Sequence, residues 1–518
     1  MYFDGKIWIG LDGDEKICIE PTMANRHGLI AGATGTGKTI TLKVMAESFS
    51  EAGVPVFLSD VKGDLAGMCT AGVDSEDMQS RIKSFGLDQA GFKYKAYPTT
   101  FWDISGQYGL PIRTTISEFG PLLLAKLLDL NQTQTDILSI IFRIADDHED
   151  PVAKLLLDLK DLKATISRIS ENTKDYKSEY GNLSTQSLNT ILRSILAFEE
   201  KGSDDLFGEP ALDIHDFFIV DENGRGMINI LDSRELIHNG AKYSTFMLWL
   251  LAELFEVMPE VGDVEKPKMV FFFDEAHLLF DDAPKALLEK IEQVVKLIRS
   301  KGIGIYFVTQ NPKDVPDSVL AQLGNKVQHA LRAYTPKEQK ALRAAAESFR
   351  ENPDFDTQEV LQVLGTGEAL VSFLQKDGIP AMVRRARILP PQSKMGSIDD
   401  ATRANMVSLN ILHGKYNYEV DRDSAYEFWQ RIIAAEESVA EKTATKKSSG
   451  RKKTSEVERT ARQVASSATG TIGRHIGNTV GKSVGGSLGK TLGGNIGANL
   501  GRGVGRGIFS TIIKNIFN

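Results

Sequence analysis

Short apolar runs recur along most of the chain, and several of them end at or just before a polar or acidic residue. Runs of this length, rich in Val, Ile and Phe, are typical of strands that are buried on both faces of a parallel sheet. We predict such strands at residues 29–31, 54–60, 217–220, 226–231, 269–273, 303–309 and 327–331. Two further pairs of segments, 6–10 with 15–20 and 368–374 with 381–387, have the pattern of antiparallel hairpins.

Longer segments with apolar residues at helical spacing lie between these strands. The clearest ones are residues 40–49, 244–257 and 284–301. Strands that alternate with helices favour an α/β fold, in which helices cover both faces of a parallel sheet. Residues 113–207 interrupt this alternation with amphipathic helical patterns alone. We therefore predict an all-α insertion there, which serves as core packing, as a lid or as an oligomer contact.

The predicted elements divide the chain into five parts. Residues 1–112 contain the N-terminal strands and the first part of the core, 113–207 the insertion, and 208–395 the second part of the core. Residues 396–442 form a helical segment, and residues 443–518 form a basic, glycine-rich tail. Because a chain of 518 residues exceeds what one hydrophobic core supports, we expect more than one folding unit.

The composition is that of a soluble globular protein, with 42% apolar and 25% charged residues. The two cysteines, Cys18 and Cys69, have no metal-ligand spacing, which argues against a zinc site or a disulfide framework. The N-terminus has no signal-peptide pattern, and no apolar run reaches the length of a membrane span. We therefore expect a cytoplasmic protein.

The tail differs in charge from the rest of the chain. Residues 443–518 contain 13 Lys and Arg against two Glu, whereas residues 1–442 contain 48 Lys and Arg against 67 Asp and Glu. Glycine recurs at every fourth position from Gly473 to Gly505, and each interior glycine costs a helix roughly 1 kcal/mol relative to alanine. We expect a flexible tail that becomes ordered on an anionic polymer or, through peripheral association, on a membrane surface. A solubilising tail without a specific partner is the alternative.

Residues 32–39 match the pattern G-x-x-x-x-G-K-[ST] of a phosphate-binding loop, and they lie between a predicted strand and a predicted helix. In this loop, glycines let backbone N–H groups surround the phosphates, the lysine reaches the β- and γ-phosphates, and the hydroxyl ligates Mg²⁺. We predict ATP and Mg²⁺ as cofactors. The predicted nucleotide-binding residues are Gly32, Ala33, Thr34, Gly35, Thr36, Gly37, Lys38 and Thr39.

Two acids, Asp274 and Glu275, directly follow the apolar run 269–273. In P-loop enzymes the first acid of such a pair holds Mg²⁺ through water, and the second can polarise an attacking water. We assign Mg²⁺ binding to Thr39 and Asp274, and water activation to Glu275. His277 follows the pair and is either a relay or a structural residue of the turn.

Polar residues stand on both sides of the predicted strand 303–309. Gln310, after the strand, can hydrogen-bond the γ-phosphate or its water. Arg299, in the last turn of the preceding helix, either offsets the helix dipole or reaches a phosphate, in its own subunit or in a neighbour. The charged run 60–64, at another strand end, is either part of the ligand site or a solvated turn.

With a phosphate-binding loop, an acidic strand end and a polar residue after the following strand, the predicted core is a RecA-like P-loop ATPase core. The chain resembles the HerA/FtsK superfamily of ring-forming P-loop translocases, and within it a HerA-like bacterial branch. The resemblance covers nearly the whole chain. It is carried by residues 32–39, 60–64, 273–277, 308–312 and 414–429 and by the glycine-rich tail.

The resemblance implies a hexameric ring that hydrolyses ATP with Glu275, senses the γ-phosphate with Gln310 and places Arg299 across a subunit interface. It also implies a DNA helicase or translocase. HerA translocases that work with a nuclease carry an N-terminal β-barrel, whereas 28 residues precede Leu29 here, so nuclease docking by that route is not expected. Two alternative functions are a membrane-associated assembly protein that is switched by nucleotide, and a secretion-type ATPase that acts on protein.

Overall fold

The structure is a computed structural model that describes residues 1–200, 204–236, 240–280 and 285–447. Within these residues, thirteen strands form one sheet. The strands are β1 (Tyr2–Phe3), β2 (Lys6–Asp12), β3 (Glu15–Ile19), β4 (Gly28–Ala31), β5 (Val56–Asp60), β6 (Thr99–Asp103), β7 (Leu110–Pro111), β8 (Ile228–Asp232), β9 (Met269–Phe273), β10 (Ile303–Thr309), β11 (Asn325–His329), β12 (Glu368–Ser372) and β13 (Arg384–Ile388).

Helices occupy most of the remaining described residues. They are α1 (Lys38–Glu51), α2 (Glu76–Ser84), α3 (Ile116–Phe119), α4 (Pro121–Leu127), α5 (Gln132–Asp147), α6 (Leu159–Glu171), α7 (Thr173–Tyr180), α8 (Thr185–Glu199), α9 (Gly240–Val257), α10 (His277–Phe280), α11 (Lys285–Leu297), α12 (Asp317–Leu320), α13 (Pro336–Glu347), α14 (Thr357–Val363), α15 (Asp400–Ser408), α16 (His413–Tyr416) and α17 (Ala425–Lys447). Short 3-10 segments include Ile214–Phe218 and Ile298–Lys301.

The sheet is mixed, with a parallel centre and an antiparallel edge. Its order is β1-β2-β13-β12-β11-β4-β10-β9-β5-β8-β6-β7, and β3 pairs with β2. All strands from β11 to β7 in this order run parallel to one another. The remaining strands, β12, β13, β2, β1 and β3, form antiparallel pairs. Both predicted hairpins are confirmed, and through β13 and β2 they extend the core sheet as one antiparallel edge.

Successive side chains of the central strands alternate between two hydrophobic cores, one on each face of the sheet. In β9, Met269, Phe271 and Phe273 belong to one core, and Val270 and Phe272 belong to the other. Helices α4 to α6, α8, α9 and α11 bury their apolar residues in the first core, and α1 buries its apolar residues in the second. The predicted α/β fold, with helices on both faces of a mainly parallel sheet, is confirmed.

Helix α17 is anchored to α6 by hydrogen bonds at its start. The Trp429 indole N–H donates to the Thr165 hydroxyl at 3.2 Å, and the Ser424 hydroxyl donates to the Asp161 carboxylate at 2.6 Å. Residues up to Ile432 belong to one compact unit; Ile433 begins a second unit, whose described residues, 433–447, continue the helix. No helix in the described part of the chain is both long and apolar enough to span a membrane.

Some predicted elements differ from the structure. Residues 217–220 are not a strand: the 3-10 segment Ile214–Phe218 lies there, and the Phe217 ring packs against Phe57 and Trp102 beneath the sheet. The predicted helix 284–301 is α-helical to Leu297 and then tightens into a 3-10 turn. The predicted strand 327–331 starts and ends two residues earlier, as β11.

Strand β6 is not predicted from the sequence, since its residues Thr-Thr-Phe-Trp-Asp contain no apolar run, although all five are buried. The tail is predicted to begin at residue 443. Residues 443–447 belong to α17, and the remaining residues of the tail, 448–518, lie outside the described residues, as does the flexibility predicted for them.

Candidate functional site

The predicted phosphate-binding loop connects β4 to α1, and its glycines adopt conformations that other residues avoid. Gly35 has φ +77° and Gly37 has φ +112°, both outside the range that L side chains favour. A Cβ atom on Gly32 would lie 2.5 Å from the Cβ atom of His329. The backbone of the loop therefore requires glycine at these three positions.

Backbone hydrogen bonds from neighbouring strands hold the loop in place. The N–H of Gly32 donates to the Thr309 carbonyl at the end of β10, and the N–H of Ala33 donates to the Ala330 carbonyl just after β11. From the antiparallel edge, the N–H of Gly367 donates to the carbonyl of Thr36 at 3.0 Å. The loop is thus fixed by segments that are far apart in the sequence.

The loop presents donors that suit an anion. Among the described residues, the N–H groups of Gly35 and Gly37 donate to no backbone carbonyl, and the N-terminus of α1 follows directly. The Lys38 ammonium group folds back and donates to the carbonyls of Gly32 at 2.7 Å and Ala33 at 3.2 Å. Burial lowers the pKa of Lys38. A bound phosphate would exchange these carbonyl contacts for contacts with a full negative charge.

The two predicted acids lie at the end of β9, which pairs with β10 on one side and β5 on the other. Asp274 is 6% exposed, and its carboxylate accepts the N–H of Glu275 at 2.9 Å. Burial and the neighbouring charge of Glu275 raise the pKa of Asp274 to about 7. A buried carboxylate whose charge is this poorly compensated fits a ligand for a divalent cation.

Glu275 has φ +47° and is buried, and three side chains surround its carboxylate. Lys62 Nζ lies 2.5 Å from Oε1, whereas Gln310 Nε2 and His277 Nδ1 each lie 3.4 Å from Oε2. Burial raises the pKa of Glu275, but the hydrogen bond and the charge of Lys62 outweigh this effect, so that its pKa lies below the ordinary value. The carboxylate is therefore ionised at neutral pH.

The structure brings most of the predicted site residues together at one edge of the sheet. The loop, Asp274, Glu275 and Gln310 all follow the carboxyl ends of the adjacent strands β4, β9 and β10. The charge of Glu275 acts on the pKa of Lys38, which places the acid and the loop lysine within one electrostatic site. Thr39 is in the first turn of α1, on the same edge. Ligands bind at this edge in open α/β sheets.

Arg299 does not lie with them. It precedes β10, near Arg26 and His27, whereas the phosphate-binding loop follows β4 and lies beside the other end of β10. The seven residues of β10 span about 20 Å, which is beyond the reach of an arginine side chain. The alternative in which Arg299 contacts a phosphate of its own subunit is therefore excluded, and its action on a neighbour stays a prediction.

Two residues of the site were not assigned a role from the sequence. Lys62 belongs to the charged run 60–64. Its position just after a predicted strand was the feature of the sequence that could have indicated a role in the site. His329 lies beneath the loop, where its Nε2 atom is 2.8 Å from the Thr41 hydroxyl and its Nδ1 atom is 2.9 Å from the Glu368 carbonyl. Because burial lowers the pKa of His329 to about 4, the ring is neutral and donates from Nδ1 to that carbonyl.

The family comparison covers almost the entire chain. The family model described as helicase HerA-like C-terminal matches residues 9–515. The DNA double-strand break repair helicase HerA of Sulfurisphaera tokodaii is 23% identical over 390 residues, which cover 72% of this chain and 67% of that protein. The HerA of Sulfolobus acidocaldarius is 21% identical, over 71% of this chain and 66% of the relative. The chain thus spans about two thirds of the length of these relatives.

Two solved structures that are similar to this chain belong to proteins that are not named HerA. VirB4 of Thermoanaerobacter pseudethanolicus has a TM-score of 0.46 and 15% identity, covering 75% of this chain and 97% of its own. The bacterial conjugative coupling protein TrwB has a TM-score of 0.46 and 13% identity, covering 74% of this chain and 88% of its own.

Proposed function

The chain belongs to the family described as helicase HerA-like C-terminal, and we propose that it is an ATP-hydrolysing motor that acts on DNA. The observation that carries the proposal is the convergence of Lys38, Asp274, Glu275 and Gln310 at one edge of the sheet. A phosphate-binding loop beside an ionised, partly shielded carboxylate is what hydrolysis of a phosphoanhydride requires.

The loop binds the phosphates in this proposal. The N–H groups of Gly35 and Gly37, which donate to no backbone carbonyl in the described part of the chain, and the ammonium of Lys38 supply the donors. The N-terminus of α1 adds its dipole. Thr39 and Asp274 would hold Mg²⁺, with phosphate oxygens and waters as the other ligands. Among the described residues, no group of three or more His, Cys, Asp or Glu side chains could hold a metal ion. In this proposal the protein therefore supplies only part of the Mg²⁺ ligands. When bound, Mg²⁺ neutralises charge on the phosphates.

Glu275 then accepts a proton from the attacking water, and Gln310 orients that water or the γ-phosphate. Both side chains already lie within 3.4 Å of each other at the ends of β9 and β10. His277 contributes a second contact to the Glu275 carboxylate. These roles require the Lys62 ammonium and the carboxylate to separate before the proton moves.

The DNA substrate and the assembly are inferred from the relatives. The HerA proteins that the chain resembles are named as DNA double-strand break repair helicases. We propose a homo-hexameric ring in the cytoplasm, in which Arg299 of one subunit completes the site of the next, since it cannot reach its own loop. The basic tail would add salt-sensitive contacts to DNA or another anionic surface.

Turnover by the full chain tests the proposal. We expect double- or single-stranded DNA to raise the ATP turnover rate, while the mass of the Mg·ATP-bound particle measures the oligomer. Glu275→Gln should retain Mg·ATP binding and lose about 100-fold or more in turnover, because the amide cannot accept the proton. Glu171→Gln, an exposed position of α6, is the matched control.

Three outcomes would contradict parts of the proposal. A rate that neither form of DNA changes removes the support for a DNA motor. Stimulation by anionic phospholipid vesicles alone favours a membrane-associated, nucleotide-switched protein instead. Near-normal hydrolysis by the Glu275→Gln variant removes Glu275 from the mechanism.

A further inference from the structure

The turn after β5 carries a lysine to the carboxylate of Glu275. The buried carboxylate of Asp60, the last residue of β5, accepts hydrogen bonds from the N–H groups of Gly63 at 2.7 Å and Leu65 at 3.2 Å. Gly63 has φ +77°, a conformation that favours glycine. The turn is therefore closed on itself, and Lys62 at its apex is presented to Glu275 from a fixed backbone.

Both oxygens of the Glu275 carboxylate have neighbouring side chains. Its shortest contact, 2.5 Å from Oε1, is to the Lys62 ammonium, a group that can donate protons but cannot accept one. The other oxygen faces the Gln310 amide and the His277 ring, each at 3.4 Å. A general base needs a carboxylate oxygen directed at the proton that it removes. Glu275 has to be released from Lys62 before it can serve as the base.

Lys62 stands on the solvent side of this ion pair. Its side chain is 50% exposed, whereas that of Glu275 is 6% exposed. Lys62 also lies at the same edge of the sheet as the phosphate-binding loop, because it follows β5, the loop follows β4, and the order between these parallel strands is β5-β9-β10-β4. Burial and the charge of Lys62 both lower the pKa of Lys38. A polyphosphate bound at Lys38 therefore enters the electric field of Lys62, whose side chain is half-exposed.

We propose that Lys62 is a latch on Glu275, which holds the carboxylate in its resting position until a terminal phosphate bound at Lys38 draws the ammonium away. The inference rests on the proposed ATP hydrolysis at the same site and adds a regulatory step to it. Lys62 is a positioning residue, because it acts through Glu275. The latch links the arrival of the phosphate to the activation of water, and it keeps hydrolysis slow when the phosphate is poorly seated.

Replacing Lys62 by methionine tests the latch, because methionine removes the charge and keeps most of the side-chain length. In the absence of DNA, we expect kcat of Lys62→Met to rise roughly two- to fivefold, the range that loss of one partly exposed ion pair supports. KM for ATP should not fall, since a cation near the phosphate is lost. Lys62→Arg retains a cation and should keep the wild-type kcat.

Lys160 offers a matched control. Its side chain is 51% exposed and its ammonium lies 3.3 Å from the Asp158 carboxylate, in the helical insertion. Lys160→Met removes a similar ion pair away from the site, and it should leave both kcat and KM unchanged.

The outcomes separate the latch from the proposed function. A wild-type protein that does not hydrolyse ATP refutes the proposed function. A wild-type protein that hydrolyses ATP, with kcat of Lys62→Met equal to it or lower, refutes the latch alone, provided that Mg·ATPγS binding and the melting temperature are retained. Lys62→Gln repeats the test if the methionine variant does not fold. Loss of folding in both variants also overturns the latch, because it makes Lys62 a structural residue.

Discussion

Replacing Asp274 by asparagine is expected to stabilise the nucleotide-free protein while it removes activity. Burial and the charge of Glu275 raise the pKa of Asp274 from 3.8 to about 7. Since each pKa unit corresponds to about 1.4 kcal/mol, the ionised carboxylate costs the folded state about 4 kcal/mol above pH 7. Asparagine keeps an oxygen that can accept the N–H of Glu275 but carries no charge.

The pH dependence of this effect has a definite sign. Between pH 3.8 and about 7, the folded state binds more protons at Asp274 than the unfolded state does, so this contribution to the free energy of unfolding decreases as the pH rises. Relative to a pH well below 3.8, the decrease is about 2 kcal/mol at pH 5 and about 4 kcal/mol at pH 8. The stability advantage of Asp274→Asn should therefore be about 2–3 kcal/mol larger at pH 8 than at pH 5.

Urea and thermal melts of both proteins at pH 5 and pH 8, without nucleotide, measure this advantage. Asp354→Asn neutralises an exposed aspartate and is the matched control. Adding Mg²⁺ with a non-hydrolysable ATP analogue should raise the melting temperature of the wild type more than that of Asp274→Asn, because the metal charge offsets only a carboxylate. An advantage that is absent at pH 8, or larger at pH 5, would refute the reasoning.

Three further changes test other parts of the structure. Gly37→Ala forces alanine into φ +112° and brings its Cβ atom to 3.2 Å from the N atom of Gly367. The affinity for Mg·ATP, measured by calorimetry, should therefore fall about tenfold or more. Unchanged affinity would contradict the assignment of this loop to phosphate binding. Trp429→Ala removes an indole that is 7% exposed and donates a hydrogen bond to Thr165. The lost packing should lower stability by about 3 kcal/mol and make proteolysis of α17 faster. Unchanged proteolysis would show that the indole does not anchor this helix. Deletion of residues 443–518 should leave basal ATP turnover intact and weaken binding to DNA or anionic vesicles; an unchanged salt titration would make the tail a spacer.

Local motifs account for what could be predicted from the sequence. The phosphate-binding loop needs glycines, a lysine and a threonine within eight positions, and the acids need only follow a buried strand. The same applies to the hairpins, whose turns and alternating strands are contiguous. The strand predicted at 217–220 was wrong because its aromatic and β-branched residues also suit a 3-10 segment packed beneath the sheet, and the choice depends on Trp102 and Phe57.

The pairing of Lys62 with Glu275 could not be predicted, because the two residues are 213 positions apart. It depends on β5 and β9 being neighbours in the sheet, which is a property of the strand order. The position of Arg299 is another such case. Arg299 precedes β10, and the parallel pairing of β10 with β4 places the loop beside the opposite end of that strand.

The position of β4 has a consequence for the order in which the protein becomes functional during synthesis. β4 ends at residue 31, but its two neighbours in the sheet begin at residues 303 and 325. The carbonyls of Thr309 and Ala330 hold the loop, so a nascent chain shorter than this has the complete loop sequence and no site. The helical insertion is synthesised earlier and has to fold without that site. Because a ligand stabilises only the state that binds it, nucleotide in the cell would favour chains whose central sheet is already complete.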